Sequence, residues 1–360
     1  MRRRSRLVIV GALLCLLGTS DPAWSETSAW QVQSGINADG ALTAVATVPS
    51  GSANAWAFGV RSNGTTYALR SVGDFAESWV SVEVPDVGRV HGLVDSWVAA
   101  EKGTLRWVDG RWHRVPVPGG AVLRAVAEDP VAEGMAWAVG VEPVPGTAKR
   151  RGAVRRWDGT RWRNVPVPPR LSGDSSELSS VLINSDSVDV YGIAHDRHRG
   201  SRVLALRFDG ESWSALSAPV PLPGHEEHLV GYNGQAHRLV GWSAPVGGSL
   251  RSRVPLIYRV DSATGQLARE EVPGVAGQLT AVTSEYGTPV AVGFTAWQRP
   301  LAMRLRFDGD GRSSWIIDDL TGVPDGQLSS VGGTLVPNIW AVGISNERDA
   351  TRPLMVRYNP

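Results

Sequence analysis

The sequence predicts an all-β fold, a seven-bladed β-propeller of four-stranded antiparallel blades, and three observations carry that prediction. A unit of about 48 residues recurs seven times along the chain. Each unit holds short β-branched or aromatic stretches bounded by Gly, Pro, Asp or Asn, which is strand composition with turn chemistry between. The seventh unit stops one stretch short, and the missing stretch lies at the other end of the chain.

The first stretch of the unit reads L-x-x-V. It starts as LTAVA at Leu42, VHGLV at Val90, LRAVA at Leu123, LSSVL at Leu178, HLVGY at His228, LTAVT at Leu279 and LSSVG at Leu328. The second follows in the same order as AWAFG, SWVAA, AWAVG, VYGIA, HRLVG, PVAVG and IWAVG. The third reads R-x-[WF]-D-G and the fourth W-x-x-V-P, joined in RRWDGTRWRNVPVP at 155 to 168. Four short strands repeated in this way bury their faces only against neighbouring blades, which is the logic of a propeller.

The last unit ends at VRYNP after its third strand, while SAWQVQSG at 28 to 35 aligns Trp30 with Trp79, Trp112, Trp162, Trp213 and Trp315. The N-terminal strand is therefore expected to complete the last blade and remove its open edge. Twelve of the 15 tryptophans then fall on repeat positions, where large flat rings fill the wedge between blades. Trp24 precedes the first strand, and only Trp242 and Trp297 lie off register. The Trp-Asp-Gly element looks like a catalytic motif but repeats: Asp158 has counterparts at Asp109, Asp209, Asp261 and Asp308. Chemistry needs such a residue once, so these aspartates read as turn residues.

Ahead of the repeats stands MRRRSRLVIVGALLCLLGTSDPAWS. Its basic start and the apolar run from Leu7 to Leu17, too short to span a bilayer, read as a secretory signal. Small residues at Ala23 and Ser25 place cleavage near Ser25, giving a signal at 1–25 and one propeller domain at 26–360. Lipid attachment at Cys15 is the less favoured reading, because Leu14 stands where a lipobox takes a small residue. Cys15 is the only cysteine, so the exported chain is expected to lack disulfides and thiol chemistry. The full chain carries 36 basic and 35 acidic residues; without Arg2, Arg3, Arg4, Arg6 and Asp21 the counts are 32 and 34. That balance argues against nucleic acid as a partner. Stable membrane insertion is not expected either, and the chain reads as a monomer.

AWAVG, RRWDGTRW and RWRNVPVP resemble the repeats of secreted bacterial β-propellers. The order W-x-x-V-P, L-x-x-V, W-x-V-G is also similar to tectonin-type lectin propellers, and the D-G-x-x-W turn resembles the Asp-box of sialidase-like propellers. The loops are longer than tectonin loops, and no sialidase arginine triad can be placed. The resemblance thus implies a sugar-binding scaffold without sialidase chemistry, and a likeness of scaffold carries function only weakly.

Strand alternation brings the loops between second and third strands out on one face, together with the connections between blades. These loops are long, irregular and arginine-rich, which is where binding groups are expected. Trp242 and Trp297 fall there in adjacent units, and an exposed indole offers a flat apolar surface to a sugar or a cation. Arg197, Arg251, Arg253 and Arg299 accompany them as forks for carboxylates or phosphates. The segments between blades add acids to that face, among them Asp174, Glu177, Glu226, Glu227, Asp318 and Asp319.

Two H-x-x-H pairs, His195 with His198 and His225 with His228, supply ligand types suited to zinc or manganese. Neither pair is H-E-x-x-H, and ordinary surface histidines with no cofactor remain the favoured reading. If the third residue of each L-x-x-V stretch faces the axis, the channel is lined by Ala44, Gly92, Ala125, Ser180, Val230, Ala281 and Ser330, without acid-base groups. The function expected is a secreted module that binds an extracellular glycan or protein through one face. The alternative is a metal-assisted lyase or hydrolase working at the channel mouth.

Overall fold

The structure, a computed structural model, describes residues 29–36, 38–47, 55–73, 78–173, 175–196, 200–233, 236–285, 288–333, 339–347 and 350–358. The expected signal segment with Cys15, and also Asp174, Arg197 and His198, lie outside the described residues. No helix among the described residues is long and apolar enough to cross a membrane.

Seven four-stranded antiparallel sheets form the ring, six of them built in chain order from inner to outer strand. Blade I comprises Ala41–Thr47, Ala55–Val60, Thr66–Val72 and Ser78–Val82. The inner strands of blades II to VII are Val90–Val94, Val122–Glu128, Ser175–Ile183, His225–Asn233, Gly277–Glu285 and Gly326–Gly333. Blade VII takes its fourth strand from the start of the chain, Trp30–Val32, which pairs Trp30 with Tyr358, Gln31 with Arg357 and Val32 with Val356. The offset read from the repeat is thus the closure of the ring.

The hydrophobic core is divided by interface. Among the described residues there are seven clusters, and each joins the facing sheets of two neighbouring blades. Tryptophans fill the wedges as the repeat requires. Trp56 meets Trp112 across the interface of blades I and II at 5.6 Å, and Trp97 meets Trp162 across blades II and III at 5.0 Å. Trp79 and Trp340 join blade I to blade VII at 5.3 Å, all three pairs edge to face.

Every inner strand carries a β-bulge at the same place. The extra residues are Thr43, His91, Arg124, Ser179, Val230, Thr280 and Ser329, each skipped by the partner strand. In six blades the leucine just before the bulge faces the glycine of the WAVG-type stretch. A Cβ at Gly140 or Gly192 would stand 2.0 Å from a carbonyl oxygen of the inner strand, so the close approach requires glycine there. This pairing also shifts the fifth unit by one residue. Leu229, which faces Gly241, is the counterpart of Leu42, and Gly231 takes the place expected for Val230.

The recurrent aspartates are turn residues. Asp158 Oδ1 accepts backbone N–H groups of Thr160 and Arg161 at 3.0 and 2.9 Å, and Asp209 and Asp261 repeat the pattern. These hydrogen bonds, with the Arg163 side chain, hold the Asp158 carboxyl well below the usual carboxylate range.

Candidate binding site at the channel mouth

A bulge turns two consecutive side chains toward the same side, against the strict alternation of a regular strand. The axial channel is therefore lined by both members of each bulge pair, and not only by the small residues expected from period-two alternation. Val230 keeps a place on the wall as the bulge residue of blade V. The expectation of a lining without ionisable groups fails at His91 and Arg124, which the bulges of blades II and III place on the wall.

The channel has two halves. One, of 520 Å³, opens where the inner strands end and carries Asp95 and Glu128 at its mouth. Burial, and then the neighbouring Glu128, push the Asp95 carboxyl up to about 6. The other half, of 420 Å³, opens on the face of the long loops and is lined by Arg89, His91, Arg124 and Glu177 together with Gln278 and Gln327. Thr43, Ser179, Thr280 and Ser329 add hydroxyls, and His228 and Trp242 form part of one wall.

Arg124 Nη1 lies 3.2 and 3.1 Å from the two ring nitrogens of His91. A guanidinium only donates, so the imidazole is neutral and accepts. Burial, reinforced by the charges of Arg124 and Arg89, pushes the His91 imidazolium down to about 3. The sign of the linkage follows: an unfolded chain takes up a proton at His91 near pH 6.5 and the folded chain does not until about 3. Stability from this site is present above 6.5 and lost as pH falls through that window. Thermal midpoints at pH 7.5 and 4.5 should therefore fall less in His91→Gln than in the wild type, and equal falls would contradict this reading.

The residues expected to bind ligand part company. Trp242 is in the second strand of blade V and is only 7% exposed, so it is not the free indole expected. Its ring stacks on His228 at 3.9 Å and 13° and lies 3.9 Å from the Arg253 guanidinium. Two approaches that close use opposite faces of the ring, leaving an edge for the channel. Arg253 also donates to Gln278 Oε1 at 2.5 Å, which fixes that amide beside the cavity. Trp297, by contrast, is 64% exposed at the tip of the blade VI loop, next to Gln298 at φ +58°. Arg251 is exposed, and Arg299 pairs with Asp325 at 3.5 Å on the surface.

The histidines divide likewise. His195 and His228 approach to 6.0 Å between ring centroids, and His195 Nδ1 lies 2.8 Å from Ser201 Oγ. His225 and His228 belong to one uninterrupted stretch of strand, not to a loop. Three residues apart on a strand, they point to opposite faces and cannot share an ion. Among the described residues no three His, Cys, Asp or Glu side chains are placed to hold a metal. Burial lowers the His228 imidazolium against the opposing pull of Glu226, whose carboxylate is 3.7 Å away.

Some acids expected on the loop face are internal. Glu227 is fully buried, accepting from Tyr258 at 2.7 Å and Arg269 at 3.0 Å. Asp318 accepts from Arg304 at 2.7 Å and from the Trp30 indole at 3.0 Å. Both carboxylates are buried, and burial requires a partner.

No protein family matches this chain, and no curated protein does. Among solved structures, YCF48 from Cyanidioschyzon merolae superposes with a TM-score of 0.56 at 15% identity, over 93% of this chain and 99% of that one. At that identity the likeness is one of fold, a propeller of the same kind.

Proposed function

We propose that the protein is a secreted binding module that takes an extracellular glycan in the 420 Å³ cavity on its loop face. The observation that carries this reading is the composition of that wall. Positions that repeat in every blade are packing or turn residues, while Arg89, His91 and Glu177 each occur in one blade only and converge on one concavity with Gln278 and Gln327, a glutamine shared by blades VI and VII. A hollow of a few hundred Å³ ringed by hydroxyls, amides and guanidiniums suits a small hydroxyl-rich ligand, roughly the 300–1,000 Å³ range of ligand pockets. A flat protein epitope would not enter it. Trp297, exposed on the blade VI loop of the same face, offers a stacking surface for a neighbouring sugar.

Ser329 tests the reading, because it lines the cavity and is only half-buried. Ser329→Trp should fill the mouth and abolish retention of labelled protein on a glycan array while the thermal midpoint holds. Trp297→Ala should weaken retention about three- to tenfold, the value of one stacking contact. Undiminished retention by Ser329→Trp would overturn the cavity as the site.

A further inference from the structure

Several arginines of this fold meet a carboxylate. Arg155 meets Glu142, Arg207 meets Asp189, Arg238 meets Glu270, Arg269 meets Glu227 and Arg304 meets Asp318. Arg124 does not. Among the described residues its side chain has one hydrogen-bonding partner, the uncharged His91, and no ion pair. Arg124 lines the cavity, and its Nε and Nη2 have no hydrogen-bond partner among the described residues.

Among the described residues no carboxylate lies within ion-pair distance of Arg124; Glu177 and Glu101 act on it from farther off, against the like charges of Arg150 and Arg89. A partly buried cation without a counter-ion has lost part of its hydration, a loss that an anion is well suited to offset. The planar fork of a guanidinium matches a carboxylate in two parallel hydrogen bonds. His91 holds one arm of that fork in place, and Gln278, with its oxygen engaged by Arg253, lines the same cavity.

We propose that the cavity is selective for an acidic sugar, whose carboxylate is received by Arg124. This rests on the glycan-binding reading above and names the charge its ligand must carry.

Calorimetric titration of the full chain with glucuronate, glucose and sulfate separates the parts of the proposal. Glucuronate should bind, glucose should bind roughly tenfold to a hundredfold more weakly, and Arg124→Gln should reduce glucuronate to the level of glucose. Sulfate should compete with glucuronate but bind less tightly, since it fills the anion position without the ring. Should Arg124→Gln fail to fold, Glu177→Gln serves instead: removal of the competing carboxylate should tighten glucuronate about two- to fivefold. Equal binding of glucose and glucuronate, both lost in Ser329→Trp, would overturn the acidic-sugar proposal and leave the glycan-binding reading standing. Sulfate binding more tightly than glucuronate would reduce the site to one for free oxyanions and overturn the proposal as well.

Discussion

Replacing Glu142 with alanine is expected to destabilise the protein by about 3–5 kcal/mol, because it strands a buried guanidinium. Arg155 is 1% exposed in the third strand of blade III, bonded to Glu142 and to Asn164 Oδ1 at 2.7 Å and the Pro118 carbonyl at 3.2 Å. Those neutral acceptors do not cancel its charge. For a chain of this size the loss corresponds to a fall of roughly 4–7 °C in thermal midpoint. The double variant Glu142→Leu with Arg155→Met removes both charges and replaces them with apolar volume. It should recover most of the loss, since exchanging a whole buried pair for well-packed hydrophobes is often neutral or better. A double variant as unstable as Glu142→Ala would show that packing, and not an uncompensated charge, sets the cost.

Deleting residues 29–36 is expected to open the ring. The strand Trp30–Val32 is short, but it covers the outer edge of Ala350–Tyr358 and inserts Trp30, 2% exposed, between blades VI and VII. The Trp30 indole also satisfies Asp318, which already holds Arg304. Without the strand, a row of unpaired backbone groups and an apolar wedge face solvent together, a template for pairing with another chain. Light scattering should show dimers or larger species where the intact chain is smaller. Trp30→Ala alone, which keeps the backbone ladder, should stay dispersed and lose about 3–5 kcal/mol. A deletion variant of unchanged size and midpoint would refute the closure argument.

The architecture was legible in the sequence because each of its elements repeats. Strand composition, the recurring Asp of the turns and the tryptophan register are each stated several times over, and the misplaced fourth strand of the last blade could be counted. The candidate site on the channel wall was harder to read for the opposite reason. Arg124 and His91 occur once each, at a position that period-two alternation does not send toward the axis. Only the bulge brings them there. A sign was present in the sequence nonetheless: the residue after the first hydrophobe of the L-x-x-V stretch is Thr, His, Arg, Ser, Val, Thr or Ser, while its neighbour is uniformly small. His225 and His228 lie on one strand, where a three-residue spacing separates side chains instead of gathering them. Trp242 misled through its absence from the repeat, which marks it as unusual without saying that His228 and Arg253 enclose it.

The seven bulges have one more consequence. In six of them the flanking leucine stays paired with the glycine of the neighbouring strand, so the extra residue stands outside the register of that pair. Its identity can drift while the scaffold around it stays constrained. The fold thereby separates the alphabet in which recognition is spelled from the grammar that keeps the molecule upright, with one free letter in every blade.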